Sequence, residues 1–426
     1  MTSFSIRNFG CRVNQAEAFD WAAELQHLGW RLEDNPSPGG LVVVNTCTLT
    51  SRADRDARKL IRKISRENPG ARIVVTGCLA EREPGKVKSI EGVWRVFPNA
   101  AKSELAARLA AEIGPGPVIE ETEPSTPFRR RALVKIQDGC NMTCSFCIIP
   151  SVRGRSVSRP PNEILARIGD LAAAGFKEIV LAGIHLCSYG RDLQLPSSLL
   201  ELLRAIDGLP GEFRVRLSSL DPRLLPDPLL DFLGASRRIS PQFHLSFQHG
   251  SDRILAAMGR SSTAAEYRAL AAALVERSPD ANLGADFIVG FPGETDDDFR
   301  ATAALLEETP LRYAHVFSYS VRPGTKAAEM KARPVEAAIV TDRAVRLRGI
   351  ARVKNLAYRR RFVGRVLDGI VIQRKSGGVE VLTPNYLEVL VPETGAGEGT
   401  SVRVRIVRAG DRSTTGEICD NTTQRT

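Results

Sequence analysis

Three cysteines, Cys140, Cys144 and Cys147, fall within a stretch of eight residues in the middle of the chain. They come directly after a predicted strand, so the spacing C-x3-C-x2-C places three thiolates on one loop. Cysteine thiolates hold iron–sulfur clusters, normally four per cluster, so three thiolates would leave one iron open to a small molecule. Structural zinc needs four ligands in paired spacing, and no second pair or nearby histidine completes such a site. The motif therefore predicts an iron–sulfur cluster with an open iron.

A second group of three cysteines, Cys11, Cys47 and Cys78, is spread over the first part of the chain. Each follows a short apolar run that predicts a strand. The carboxyl ends of parallel strands form the ligand crevice of an open sheet, so these cysteines would converge in space. One such cysteine alone is more often a small buried hydrophobic residue. Three in equivalent positions favour a second three-thiolate site.

The remaining cysteines and the histidines give weaker signals. Cys187 and Cys419 stand alone, and we interpret Cys419 as a packing residue and Cys187, which follows a predicted strand, as a non-ligand. Of the five histidines, none forms a pair with metal-ligand spacing. His185 and His249 follow predicted strands and could face a cavity, although ordinary hydrogen bonding is the simpler role for each.

The composition is that of an ordinary globular protein. The chain has 426 residues, 43% of them hydrophobic and 25% charged, with a net charge of +10. At roughly 150 residues per domain, this length predicts about three domains. Disorder, collagen and a small disulfide scaffold are excluded. No apolar run reaches the ~18 residues of a membrane span, and the first residues lack a signal-peptide pattern. We therefore expect a cytoplasmic protein with no membrane partner, in which cysteines are ligands or core residues.

The elements that must position the cysteines form three units. In residues 1–115, predicted strands at 3–8, 41–45, 73–76 and 93–97 alternate with helices, which indicates a parallel α/β sheet. A Pro/Gly-rich linker follows at 114–127. Residues 128–361 contain six β/α units, with strands at 132–137, 178–183, 213–218, 243–247, 282–289 and 313–319, and a long helix at 334–358. Six units are too few for an eight-stranded barrel, so we predict an incomplete one. Residues 362–420 have short strand patterns at 364–373, 379–382, 386–391 and 401–406, typical of a small all-β barrel.

Positive charge concentrates before that last barrel. Nine Lys or Arg residues and no acid occur between Arg343 and Arg365. A second group lies around the Cys140–Cys147 motif, at Arg129, Arg130, Arg131, Arg153, Arg155 and Arg159. Such patches attract phosphate backbones, although a solvated helix face is the usual reason for a run of Lys and Arg. The missing counter-charges favour RNA binding.

Several motifs, in order along nearly the whole chain, resemble the methylthiotransferase branch of the radical S-adenosylmethionine superfamily. They are Cys140–Cys144–Cys147 with Phe146, residues 8–15 and 44–48 around Cys11 and Cys47, Arg153-Gly154, and residues 250–253, 286–295 and 322–325. Cys11-Arg12-Val13-Asn14-Gln15 and residues 183–192 look most like the subgroup that acts on N6-threonylcarbamoyladenosine in tRNA. Residues 79–81 and 246–249 depart from the common family pattern. The final barrel resembles the TRAM RNA-binding module.

The resemblance implies an enzyme with two 4Fe–4S clusters, one on Cys140, Cys144 and Cys147 and an auxiliary one on Cys11, Cys47 and Cys78. S-adenosylmethionine would bind the open iron of the first and yield a 5′-deoxyadenosyl radical after reduction by an external one-electron donor. A methylthio group would then be placed on ring carbon 2 of the adenine. By family position the S-adenosylmethionine contacts are Gly183, Ser218, Gln248 and Arg260. The alternative roles are a turn with positive φ for Gly183 and a capping hydroxyl for Ser218.

The sequence is also compatible with other functions. The same chemistry could act on N6-isopentenyladenosine in tRNA, or on an aspartate of a ribosomal protein. A non-catalytic iron–sulfur electron carrier or RNA-binding scaffold is a further alternative. The ribosomal-protein alternative predicts a less basic linker helix and a different motif after Cys11.

Overall fold

The structure, a computed structural model, describes residues 3–35, 39–114, 131–194, 197–392 and 395–419. The predicted Pro/Gly-rich linker lies outside these residues except for Gly114, as do Arg129 and Arg130. Within the described part of the chain, no helix combines the length and the apolarity needed to cross a bilayer.

The N-terminal unit is a five-stranded parallel sheet with helices on both faces. Its strand order is β2-β1-β3-β4-β5. The strands are β1 (Ser3–Asn8), β2 (Arg31–Leu32), β3 (Leu41–Thr46), β4 (Arg72–Gly77) and β5 (Val93–Val96). The helices are α1 (Arg12–His27), α2 (Ser51–Glu67), α3 (Cys78–Arg82), α4 (Pro84–Lys88) and α5 (Leu105–Ile113). Every residue of β3 is buried because both faces of the sheet are covered, which explains its continuous apolar run.

The middle unit is an open barrel of six parallel strands. Its strands are β6 (Ala132–Asp138), the short antiparallel β7 (Val157–Ser158), β8 (Glu178–Gly183), β9 (Arg214–Leu217), β10 (Gln242–Gln248), β11 (Asn282–Val289) and β12 (Tyr313–Ser318). The helices are α6 (Ile149–Arg153), α7 (Pro161–Ala173), α8 (Leu199–Asp207), α9 (Asp227–Ala235), α10 (Asp252–Ala257), α11 (Ala264–Arg277) and α12 (Asp296–Glu308). Leu220 joins the two halves, since its N–H donates to His244 (2.8 Å) and its carbonyl accepts from Ser246 (3.0 Å).

Local sequence explains where the outer helices begin. Thr263 with Glu266 and Thr295 with Asp298 form capping boxes that satisfy the first free N–H groups of α11 and α12. The apolar faces of these helices join the strands in the largest core of the described chain.

The long helix α13 (Ala337–Arg360) leads into a closed five-stranded barrel. Its strands are β13 (Val366–Lys375), β14 (Gly378–Leu382), β15 (Glu388–Val391), β16 (Ser401–Ala409) and β17 (Thr414–Ile418). The predicted fold class, a parallel N-terminal sheet with an incomplete six-stranded barrel and a small all-β barrel, is confirmed.

Several predicted strand boundaries in this barrel differ from the structure by up to three residues, and the start of β15 has a clear physical reason. The pattern placed a strand from Tyr386 onward, whereas β15 begins at Glu388 and Tyr386 has a left-handed backbone with φ of 63°. The reason is the loop before β15, which packs against β9 instead of continuing the ladder. Arg214 donates to the carbonyl of Leu382 at the end of β14 (2.8 Å), and Arg216 donates to that of Pro384 in this loop (3.1 Å).

Candidate functional site

The N-terminal cysteines follow three adjacent strands. β1 pairs with β3 and β3 pairs with β4, all in parallel, so Cys11, Cys47 and Cys78 come after neighbouring carboxyl ends. The loop that carries Cys11 passes close to Cys47, since a Cβ built on Gly10 would lie 2.8 Å from the Cys47 Cβ. Gly10 also has φ of 110°, a conformation that glycine adopts readily. Cys47 and Cys78 are buried and Cys11 is half-buried.

Burial keeps the thiols of Cys11 and Cys47 protonated when no metal is bound. It raises the pKa of Cys47 to about 12 and also raises the pKa of Cys11, and the charges of neighbouring cysteines act in the same direction. The Cys47 sulfur accepts a hydrogen bond from the Leu49 N–H at 3.5 Å. The Cys78 sulfur accepts one from Nε of Arg153 at 3.3 Å. Such N–H donors stabilise thiolates that bind metal, so binding would release protons.

The second group lies on the loop between β6 and α6. The N–H of Cys140 donates to the Gly154 carbonyl (3.1 Å), and the N–H of Cys147 donates to Cys144 (3.1 Å). Ser145 fixes the loop to the end of α10 through its N–H and hydroxyl, which donate to Met258 (2.9 Å) and Ala257 (2.8 Å).

Burial again raises the thiol pKa values in this loop, that of Cys147 to about 12 and that of Cys140 above its usual range. The Met142 N–H lies 3.4 Å from the Cys140 sulfur. Nη1 of Arg260 lies 3.9 Å from the Cys144 sulfur. Three convergent thiols with N–H and guanidinium donors are the donor set that suits an anionic iron–sulfur cluster.

The two cysteine groups share one apolar cluster. Cys78 packs there with Ile149 and Val152 of α6, and Cys140 and Cys147 contact the same cluster. The helix that directly follows the Cys140–Cys147 loop is therefore packed against a cysteine of the N-terminal sheet. Two sites whose nearest cysteines, Cys78 and Cys140, are 62 positions apart in the sequence are therefore neighbours in space.

A buried ionic network fixes this junction. Nη1 of Arg153 donates to Glu17 (3.0 Å) and to Asp138 (2.8 Å), and its side chain is only 1% exposed. Glu17 also accepts from Lys102 at 2.6 Å. Although burial favours a neutral acid, Lys102 and Arg153 hold the pKa of Glu17 well below its usual range. Removing one member of such a network leaves an uncompensated buried charge. The expectation that Arg153 belongs to an RNA-binding patch was wrong, because the barrel and α1 enclose it.

The predicted S-adenosylmethionine contacts all lie at the carboxyl-end rim of the barrel. The Gly183 N–H donates to the Ser218 hydroxyl at 3.3 Å. Gln248 ends β10 with φ of 72°. Arg260 is buried beside Cys144 and donates to the Ser246 carbonyl at 2.7 Å. Neither alternative role holds, since Gly183 is not among the residues with positive φ and Ser218 caps no described helix.

Sequence reasoning missed Asp221, which organises this rim. Its carboxylate accepts from His185 (3.0 Å), from Nε of Arg223 (2.9 Å) and from Arg260 (3.3 Å). Although burial favours the neutral acid, hydrogen bonds from Arg223 and His185 hold the pKa of Asp221 well below its usual range. Its N–H donates to the Cys187 sulfur at 3.3 Å, and Cys187 packs within the main hydrophobic core. The position of Asp221 shortly after β9 was the available signal.

A cavity of about 810 Å³ lies between the N-terminal sheet, the open barrel and the C-terminal barrel. Cys11 and Ser218 both line it, and Tyr386 of the β14–β15 loop closes one side. Its volume is in the range of small-molecule and cofactor sites. The sequence could not indicate Tyr386, because its place depends on how the last barrel docks.

Three further side chains on the cavity wall come together from β10, β11 and β12. His244 shares a hydrogen bond with Asp286 at 2.8 Å, and Nδ1 of His315 lies 3.4 Å from the same carboxylate oxygen. These bonds hold the pKa of Asp286 at about 2, against the effect of burial. These three residues are far apart in the sequence, so their spacing did not indicate a common site. In the structure their possible ligand atoms lie within 4.8 Å of one another.

The basic segment 343–365 has more counter-charges than its sequence indicates. Arg343 is buried and pairs with Asp296, and Arg365 pairs with Asp280. These acids belong to other elements, so counting charges along the segment missed them. Arg346, Arg348, Arg352 and Arg360 are exposed along α13. The solvent-facing side of α13 therefore remains strongly positive.

Comparison with known families agrees with this architecture. Residues 134–306 match the Radical SAM superfamily, and residues 3–97 match uncharacterized protein family UPF0004. The two matches contain all six clustered cysteines, with the Cys11, Cys47 and Cys78 group in the second.

Curated relatives are similar over most of the chain. Threonylcarbamoyladenosine tRNA methylthiotransferase MtaB of Thermotoga maritima is 34% identical, over 86% of this chain and 85% of the relative. The protein of the same name from Bacillus subtilis is 32% identical over 96% and 95%. The tRNA-2-methylthio-N(6)-dimethylallyladenosine synthase of Chloroflexus aurantiacus is 33% identical over 97% and 91%.

Among solved structures, the radical S-adenosylmethionine methyltransferase TsrM of Kitasatospora setae has a similar fold. The TM-score is 0.55 at 15% identity, over 77% of this chain and 74% of that chain.

Proposed function

Because the chain belongs to the radical S-adenosylmethionine tRNA methylthiotransferases, we propose that it modifies N6-threonylcarbamoyladenosine next to the tRNA anticodon. The product carries a methylthio group on ring carbon 2 of the adenine. The family implies a 4Fe–4S cluster and S-adenosylmethionine. The proposal adds a second, auxiliary 4Fe–4S cluster and the identity of the nucleoside.

One observation carries the two-cluster proposal, namely the contact of two three-cysteine groups with the same apolar cluster. Cys140, Cys144 and Cys147 hold the cluster that binds S-adenosylmethionine, and Cys11, Cys47 and Cys78 hold the auxiliary cluster. When bound, these groups supply reductive cleavage of the sulfonium to a 5′-deoxyadenosyl radical and a methylated sulfur for transfer. The protein itself binds and orients these groups and the substrate, and it excludes water from the site.

The rim residues hold S-adenosylmethionine in this proposal. Arg260 places a guanidinium beside Cys144, and Asp221 orients that guanidinium. The Gly183–Ser218 contact forms the adjoining part of the wall, and Gln248 supplies a side-chain amide from the next strand. These are binding and positioning roles, and none of these residues is proposed as an acid or base.

The choice of nucleoside rests on the names of the relatives and on the motif around Cys11. Relatives named for threonylcarbamoyladenosine and for dimethylallyladenosine have nearly equal identity to this chain. The sequence Cys11-Arg12-Val13-Asn14-Gln15 favours the first. N6-isopentenyladenosine in tRNA is the second candidate, because one of these relatives is named for dimethylallyladenosine.

We assign three domains, with residues 1–115 for the auxiliary cluster, 128–361 for the radical chemistry and 362–420 as a TRAM-like RNA-binding barrel. The exposed arginines of α13 would contact the phosphate backbone. Besides tRNA and S-adenosylmethionine, the proposed reaction needs an external one-electron reductant as a partner. We expect the enzyme to act in the cytoplasm, where its tRNA substrate is modified.

The nucleosides of tRNA from a strain that lacks this chain test the proposal. Mass spectrometry should show that the methylthio derivative of N6-threonylcarbamoyladenosine disappears while its unmethylthiolated precursor accumulates. Return of the wild-type gene should restore the derivative. An unchanged derivative, in a strain without a second enzyme of this family, would overturn the substrate assignment.

A further inference from the structure

An arginine lies on the part of the cavity wall beside Cys11. Arg12 is half-buried there and lines the cavity. Its Nη1 donates to the Gln15 side-chain oxygen at 3.1 Å and its Nη2 donates to the Tyr386 hydroxyl at 3.2 Å. Both partners are neutral. No carboxylate of the described residues forms an ion pair with Arg12, although it is one residue from a proposed cluster ligand.

Arg216 and Asp286, two other charged residues on the same wall, already have partners. Arg216 and Arg131 pair with the buried carboxylate of Glu178, at 2.7 and 3.4 Å. Asp286 is held by His244 and His315. Arg12 therefore differs from Arg216, because its charge faces the cavity without an acid to neutralise it.

Tyr386 shows how positive this region is. Its ring lies 4.7 Å from the Arg216 guanidinium and 5.8 Å from that of Arg131, measured to the ring centroid. Burial alone would raise the pKa of Tyr386, but the charges of Arg12 and Arg131 outweigh it and lower this pKa. The left-handed backbone of Tyr386, with φ of 63°, is costly for a bulky residue and is found where surrounding structure imposes it. The docked loop thus holds a hydroxyl against Arg12.

We propose that Arg12, oriented by Gln15 and the Tyr386 hydroxyl, binds the carboxylate of the threonyl substituent on the target adenosine. A guanidinium matches a carboxylate with two parallel hydrogen bonds, which add direction as well as strength. An isopentenyl substituent has no charge and would bury this cation without a partner, so Arg12 selects against it. The proposal rests on the proposed function, since the carboxylate belongs to that substrate.

Two synthetic anticodon stem-loops test it, identical except that one carries the threonyl carboxylate and the other the primary carboxamide. Fluorescence anisotropy measures the Kd of each for the reconstituted protein, wild type and Arg12→Gln. Wild type should bind the carboxylate roughly 10-fold to 100-fold more tightly, as expected for a charge-assisted pair. Arg12→Gln should bind both stem-loops equally, with the affinity of wild type for the carboxamide.

Arg300→Gln is the matched control, because Arg300 is an exposed arginine of α12 that pairs with Asp297. It should keep the full preference for the carboxylate. Iron content and the visible absorption of the clusters check that the site beside Cys11 is intact in Arg12→Gln.

Equal binding of the two stem-loops by wild type would overturn the inference, and so would a preference kept by Arg12→Gln. If the proposed function itself is wrong, the experiment gives a different result. In that case wild type would methylthiolate an isopentenyladenosine stem-loop and leave the threonylcarbamoyl stem-loop unchanged. If wild type methylthiolates the threonylcarbamoyl stem-loop but does not distinguish carboxylate from carboxamide, only the role of Arg12 is wrong.

Discussion

Cys144→Ala should abolish the cleavage of S-adenosylmethionine. Cys144 is the central cysteine of the β6–α6 loop, with the Arg260 guanidinium 3.9 Å from its sulfur. Two remaining thiolates cannot hold a 4Fe–4S cluster with one open iron. Loss even of an outer partner of a metal ligand costs about 10-fold to 100-fold. We therefore expect 5′-deoxyadenosine formation to fall by more than about 100-fold when protein, reductant and S-adenosylmethionine are mixed.

The matched control is Cys419→Ala. Cys419 is half-buried in the last barrel, where its N–H donates to the Arg403 carbonyl, a contact that alanine preserves. This variant should cleave S-adenosylmethionine at the wild-type rate. Near-normal cleavage by Cys144→Ala would show that the loop does not hold the reactive cluster.

Cys47→Ala should separate the two halves of the chemistry. Cys47 belongs to the N-terminal group, and its loss should leave the Cys140–Cys147 site able to bind S-adenosylmethionine. Formation of 5′-deoxyadenosine should therefore continue, whereas methylthiolated RNA should fall below detection. Iron content should drop to roughly half of the wild-type value, since each cluster contributes four irons.

The result that contradicts this prediction is methylthiolation by Cys47→Ala with the wild-type iron content. It would place the sulfur donor elsewhere and leave Cys11, Cys47 and Cys78 as packing residues. Loss of both cleavage and methylthiolation, in a variant that still unfolds cooperatively with wild-type circular dichroism, would instead show that the two sites cannot be separated.

Much of the fold was predictable because most strands of the N-terminal sheet and of the open barrel are buried and read as short apolar runs. The convergence of Cys11, Cys47 and Cys78 was predictable too, since position after a parallel strand determines the edge on which a residue lies. These inferences need only local pattern and strand direction.

The side chains in and around the cavity could not be predicted from local pattern and strand direction. Tyr386 reaches the barrel only because the β14–β15 loop docks on β9, a contact between residues about 170 positions apart. Arg153 was assigned to an RNA-binding patch because its charge was counted without Glu17, which lies on the other side of the domain junction. Long-range packing therefore decides which charges are free to meet a ligand.

The most direct test of the central claim is a single reaction in vitro. Reconstituted protein is mixed with S-adenosylmethionine, a one-electron reductant and a stem-loop that contains N6-threonylcarbamoyladenosine, and the nucleosides are analysed by mass spectrometry. The account predicts a methylthio group on ring carbon 2 of that nucleoside, together with 5′-deoxyadenosine. Formation of 5′-deoxyadenosine with no sulfur in the RNA, while both clusters are loaded, would contradict it.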